Sequence, residues 1–207
     1  MKNYLIELIG TFFLVLVIGL TGNPIAIGSI LMVMVYMGGH ISGAHYNPAV
    51  TLAILIRKKI EAKDAVMYMI FQITGALLAA VIFYLIKGNT FAPAPGGHYT
   101  YDLKPLMIEM LFTFALASVV LNVATTKSNA GNSFYGIAIG FTVLGAAFAG
   151  GPISGGAYNP AVAIGPIVVD TIMGGHSISH IWVYLVGPFV GGAVAAYVFK
   201  FVNPNEA

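Results

Sequence analysis

Two asparagines, Asn47 and Asn159, stand in near-copies of one short sequence. The first copy runs Ile41-Ser42-Gly43-Ala44-His45-Tyr46-Asn47-Pro48-Ala49-Val50. The second runs Ile153-Ser154-Gly155-Gly156-Ala157-Tyr158-Asn159-Pro160-Ala161-Val162, identical at eight of ten positions and 112 residues later. Asn followed by Pro reads as a helix start. The asparagine side-chain oxygen can accept from free backbone N–H groups, and the proline lacks an N–H that would have no partner in the first turn. An asparagine so engaged keeps its NH₂ as an outward donor. Behind it lies the positive end of the helix dipole, equivalent to about half an elementary charge. Two such ends facing one spot repel cations and hold the oxygen of a passing neutral molecule. A water held by both donors cannot relay a proton along a file. The chemistry on offer is selective polar contact, with no bond made or broken.

The elements that must place these groups are membrane helices. Hydrophobic residues form 58% of the 207 positions and charged residues 8%, a composition of polytopic membrane proteins. Six stretches are apolar enough to span, at about Tyr4–Leu20, Pro24–Gly39, Ala65–Ile86, Leu106–Val123, Phe134–Gly150 and His180–Val202. The first, which contains Glu7, is expected to be a retained span and not a cleaved signal. Ala49–Ile56 and Ala161–Thr171 are apolar but reach only about half a bilayer at about 1.5 Å per residue. Lys2, Arg57, Lys58, Lys59, Lys63, Lys127 and Lys200 fall on one side and Lys87 and Lys104 on the other. That asymmetry predicts cytoplasmic termini.

The repeat extends beyond the motif. Glu7, Thr11 and Phe12 match Glu109, Thr113 and Phe114, and Tyr68, Gly75, Ala79 and Ala80 match Tyr184, Gly191, Ala195 and Ala196. Two three-span repeats, about 1–88 and about 103–207, form one transmembrane channel domain over 1–207. Three is odd, so the second repeat is inverted and the half-helix N-termini meet near the midplane. The predicted fold is all-α: six transmembrane helices and two re-entrant half-helices. The Ile-Ser-Gly lead-ins are expected to be irregular, with carbonyls lining a wet path, because such backbone cannot face lipid. Gly43, Ala44, His45 and Gly155 are expected to line it. Glu7 and Glu109 are expected to accept hydrogen bonds from these segments, with His40 supporting the first. Gly75, Ala79, Gly187, Gly191 and Gly192 follow small-xxx-small spacing and are expected to let helices approach within the subunit. His98, His176 and His180 are expected at the surface, and Tyr99 and Tyr101 at the interface. The 90–100 stretch joins the repeats and is long enough to fold over the vestibule.

This constellation resembles the aquaporin (major intrinsic protein) family over essentially the whole chain, through the paired Asn-Pro-Ala motifs and the lead-in Gly39-His40-Ile41-Ser42-Gly43-Ala44-His45. The resemblance implies a passive pore in each subunit, a homotetramer, and pore motifs at Asn47, Pro48, Ala49, Asn159, Pro160 and Ala161. It also implies an outer selectivity filter at Ile27, Ala147, Gly156 and Val162, the last standing where most relatives have arginine. Water channels of the family often have histidine at the place of Ala147. The glycerol-conducting branch usually has Arg-Asp where this chain has Val162-Ala163. The implied filter carries neither charge nor side-chain donor and is expected to be wide and apolar.

The expected function is passage of water and small uncharged solutes through a multi-pass protein of the plasma membrane, with ions and protons excluded. A channel mainly for ammonia, gases, glycerol or urea is the alternative, and a secondary transporter a more distant one that would need titrating or ion-binding groups at the midplane. An intramembrane enzyme on Glu7 and Glu109 lacks a nucleophile or metal set. The absence of cysteine excludes thiol chemistry and disulfides. The five histidines have no metal-ligand spacing, so no metal or cofactor is expected. The basic residues follow topology, which argues against nucleic acid as a partner and leaves the lipid bilayer.

Overall fold

The computed structural model describes residues 1–97, 99 and 103–206. The expectations for His98 and Tyr101 lie outside these residues. The elements are α1 (Lys2–Thr21), α2 (Pro24–Ser42), α3 (Pro48–Ile56), α4 (Ala62–Lys87), α5 (Lys104–Thr125), α6 (Tyr135–Ser154), α7 (Pro160–Ile172) and α8 (Ile181–Val202). Short 3₁₀ turns at Ser177–His180 and Pro204–Glu206 flank α8. Six helical segments are long and apolar enough to cross a membrane, while α3 and α7 are short. The order long, long, short, long occurs twice.

Two helix ends run past the reading of the sequence. α2 continues through Ser42 and α6 through Ser154, so Ile41, Ser42, Ile153 and Ser154 are helical and the irregular segments shrink to Gly43–Tyr46 and Gly155–Tyr158. The helices stop at Gly43 and Gly155, whose φ of 85° and 90° are left-handed and close the last turn onto Gly39 O and Gly151 O.

Glycine-backed crossings hold the bundle together. A Cβ on Gly28 of α2 would stand 2.7 Å from Gly140 O of α6, and one on Gly140 would stand 2.5 Å from Gly28 O. Gly28 and Gly140 are themselves repeat-related, so this contact is reciprocal, as at a two-fold axis. α4 lies against α1 where Gly75 meets the backbone of Leu8, and α8 lies against α5 where Gly191 meets the backbone of Met110.

Two segments cover the ends. The stretch after α4 folds inward, with Phe91 edge-on to Phe83 at 4.6 Å and Gly96 N–H donating to Ile153 O at 3.0 Å. At the opposite face Arg57, 3% exposed, lies 4.9 Å from the Phe199 ring and 3.7 Å from the Glu206 carboxylate. Glu206 also accepts the Lys127 N–H at 3.0 Å. Arg57 is therefore a buried packing residue as well as one of the charges on the face expected to be cytoplasmic.

Candidate functional site

α3 and α7 both begin with the capped pattern that Asn-Pro dictates. Asn47 Oδ1 accepts from Ala49 N at 2.8 Å and Val50 N at 3.4 Å, and Asn159 Oδ1 accepts from Ala161 N at 3.0 Å. The NH₂ groups then cross between the repeats. Asn47 Nδ2 donates to Tyr158 O at 2.9 Å, and Asn159 Nδ2 donates to Tyr46 O at 2.8 Å. Each amide therefore has one hydrogen tied to the opposite segment and one left over, where the sequence suggested an NH₂ directed wholly outward.

The irregular segments are held in unusual backbone conformations. Ala44 and Tyr46 have φ of 52° and 48°, and Gly156 and Tyr158 have 68° and 48°. A non-glycine residue there costs roughly 1–2 kcal/mol, so something must fix it. In the first segment four donors converge on Glu7: Ser42 Oγ at 2.6 Å, His45 N at 3.0 Å, Tyr46 N at 2.7 Å and Gln72 Nε2 at 2.8 Å. In the second, Glu109 accepts from Ser154 Oγ at 2.7 Å, Ala157 N at 3.0 Å and Tyr158 N at 2.5 Å. Both carboxylates are fully buried. Tyr46 and Tyr158 wedge below their own loops, donating to Met34 O and Ala146 O at 2.9 Å each. Gly10 and Gly150 leave room for the two rings.

The two segments and both asparagines border one central cavity of about 30 Å³. That is room for about two waters at 10–15 Å³ each. Its remaining wall is apolar, with Leu14, Leu31, Leu116, Val120, Val143 and Val162 on it. On the face that carries the termini it gives way to a vestibule of about 600 Å³ bordered by His40, Gly43, Lys59, Lys127 and Asn132. His45 borders both spaces.

A model of the major intrinsic protein family matches residues 18–199. The chain belongs to that family. The glycerol uptake facilitator protein-like 6 of Lactiplantibacillus plantarum is 37% identical to this family member over the full length of both chains. Rice aquaporin NIP1-4 is 37% identical over 88% of this chain and 65% of its own length. The X-ray structure of the aquaglyceroporin from Plasmodium falciparum superimposes with a TM-score of 0.87 at 22% identity, over 99% of this chain and 98% of that one. The last likeness speaks for the fold alone.

Of the four positions assigned to an outer filter, Ile27, Gly156 and Val162 border the central cavity, while Ala147 does not. Val143, one turn earlier on α6, borders it. Gly155 turns toward the linker: a Cβ there would stand 2.7 Å from Ala94 N and O and 3.1 Å from Tyr184 Oη. His40 is exposed on the vestibule, and among the described residues it makes no hydrogen bond to the first irregular segment. Pro48, Ala49, Pro160 and Ala161 are buried in the first turns of α3 and α7. Gly43 borders the vestibule and Ala44 the central cavity.

Thr51 and Gln72 join this site without having been singled out as part of it. Thr51 Oγ1 lies 3.1 Å from His45 Nδ1, and Gln72 Nε2 donates to Thr51 Oγ1 at 3.0 Å. Their signal was available as a repeat mismatch, since Ala163 stands in the place of Thr51 and Pro188 in that of Gln72. The acid at the far mouth is Asp170, which accepts from Ser177 Oγ and Thr90 Oγ1 at 2.6 Å each. The Ser177 hydroxyl foremost, with Thr90, holds its carboxyl below the usual carboxylate range.

Proposed function

We propose that the chain over 1–207 is one channel unit, built from repeats 1–88 and 103–207, that passes water and small uncharged solutes through the central cavity without chemical change. The observation that carries this is the pair of asparagine amides, crossed between two opposed half-helices, each with one hydrogen left for a permeant. A neutral molecule can take that donor. A cation instead meets two positive helix ends inside an apolar tube, where desolvation costs several kcal/mol. Glu7 and Glu109 support the irregular segments, and their full set of accepted hydrogen bonds favours this over proton relay.

Passage of solutes larger than water is the second reading, favoured by Val162, Ile27 and Gly156, which give the cavity no charged or donating side chain on that side. The names of the relatives, a glycerol uptake facilitator and several aquaporins, accord with both. The seven-to-two distribution of lysine and arginine supports cytoplasmic termini. A homotetramer in the plasma membrane follows from the family resemblance.

Stopped-flow light scattering on proteoliposomes tests the proposal with water, glycerol, urea and ammonia, for the wild type and Val162→Arg. Water flux no faster than in empty vesicles sinks the channel reading. Solute flux that survives Val162→Arg unchanged sinks the second reading.

A further inference from the structure

The hydrogen-bond ledger around His45 has a direction. Glu7 only accepts, so Gln72 must face it with its amide nitrogen, and the orientation of the Gln72 side chain is fixed by Glu7 Oε2 at 2.8 Å. The other hydrogen of that NH₂ reaches Thr51 Oγ1 at 3.0 Å. Thr51 has one hydroxyl hydrogen, and Asn47 O, one turn back on α3, receives it at 3.0 Å, the common back-bond of a helical threonine. What Thr51 Oγ1 then offers His45 Nδ1, 3.1 Å away, is a lone pair. Nδ1 must carry the hydrogen, and in neutral imidazole Nε2 is then bare.

Nε2 is also the nitrogen on the side of Gly43. A Cβ on Gly43, which borders the vestibule, would stand 3.3 Å from it. Tyr68 packs edge-on to the ring at 5.1 Å and limits its rotation. A second consideration points the same way. A water whose oxygen is held by the asparagine donors turns its hydrogens outward, so the next waters toward the vestibule also lead with hydrogen and need acceptors there.

We infer that Thr51 and Gln72 are positioning residues that hold His45 as its Nδ1–H tautomer, so that Nε2 receives a donor hydrogen from the permeant at the entrance to the central cavity. The inference rests on the channel reading. It also makes the entrance selective for permeants that carry an O–H or N–H group. The second repeat has no such station, because Ala157, Ala163 and Pro188 replace all three side chains at once.

The test is solid-state NMR of the full-length chain in lipid bilayers with ¹⁵N-labelled histidine, the His45 signals being those lost in His45→Ala. The expected spectrum near neutral pH shows a protonated, pyrrole-type Nδ1 and a bare, pyridine-type Nε2. A protonated Nε2 with bare Nδ1 in the wild type overturns the inference; His45→Ala serves only to assign the signals, and His45→Gln takes its place if the alanine variant does not fold. Thr51→Val is expected to shift His45 toward the Nε2–H form, and Thr51→Ser to restore the wild-type pattern. A folded Thr51→Val with an unchanged tautomer removes Thr51 from the positioning role. Water flux measured on the same wild-type vesicles separates the failures: flux with the wrong tautomer sinks this inference alone, and no flux sinks the channel reading beneath it.

Discussion

The two irregular segments share a backbone and differ in what stands around it. Gly43–Tyr46 and Gly155–Tyr158 show the same left-handed residues, the same serine and tyrosine wedges and the same buried glutamate. Yet the first is embedded in a polar web of Glu7, Gln72, Thr51 and His45, while the second has Glu109 and otherwise small or apolar neighbours. The difference shows that the duplicated part is what geometry requires, namely the caps, the wedges and the carboxylates. The part that has diverged is the side-chain shell around that frame, which His45, Thr51 and Gln72 fill in the first repeat alone.

Removing the shared carboxylates is expected to have the largest effect and to expose the asymmetry. At about 1–3 kcal/mol for each buried donor left without a partner, Glu7→Leu strands four groups and Glu109→Leu three. Thermal unfolding in detergent should show both variants severely destabilised, Glu7→Leu more so. Equal losses would mean that the Gln72 contact contributes nothing. Next come the reciprocal glycines. Gly28→Val and Gly140→Val each drive a side chain into the facing backbone, and overpacking of this kind costs about 1–3 kcal/mol. Their melting temperatures should fall by matching amounts, and a variant tolerated at one position alone would break the two-fold equivalence.

A smaller effect is expected where the repeats already differ. His45→Ala makes the first segment resemble the second, and the loss of one net hydrogen bond of about 1 kcal/mol corresponds to roughly a fivefold drop in water permeability. An undiminished rate would show that His45 does not meet the permeant. The smallest effect belongs to Asp170, at the end of α7. A carboxyl held below its ordinary value of 3.8 stabilises the folded chain above that pH, and the contribution is lost as pH falls through the lowered folded value. Exposure limits it to under about 1 kcal/mol. Melting curves of Asp170→Asn and the wild type should therefore differ slightly at pH 7 and converge as pH falls through the lowered folded value. A gap that persists in acid would assign the effect to packing.

Much of this architecture was legible in the residues. Six apolar stretches, two half-length ones and the repeated Asn-Pro are signals that a bilayer makes nearly unambiguous, because so few backbone arrangements survive in it. The positions of Glu7 and Glu109 under the irregular segments followed from their places in the repeat. Helix ends were less legible. Ile41-Ser42 and Ile153-Ser154 sit before glycine and look irregular, but their N–H groups still find partners one turn back, and the break waits for the left-handed Gly43 and Gly155. The tie of Asn47 to Tyr158 could not be read from either motif alone, since it depends on two segments being brought face to face. Motif spacing placed Ala147 in the outer filter, while Val143, one turn away on α6, is the residue that borders the central cavity.

The crossed asparagines also have a bearing on assembly in time. Their partners lie 111 and 113 residues away along the chain, so when the first repeat leaves the ribosome its Asn47 amide and Tyr46 carbonyl have nothing to hold. Backbone of this kind has no stable place in lipid by itself. The half-built loop must wait, wet or loosely held, until the second repeat has been threaded in from the other side. Closure is then a late, long-range event of the sort that makes folding slow and leaves intermediates open to misassembly. A ribosome stalled after α6 should accordingly hold a chain whose first loop is still open to water-soluble labelling reagents, and completion of α7 should shut it.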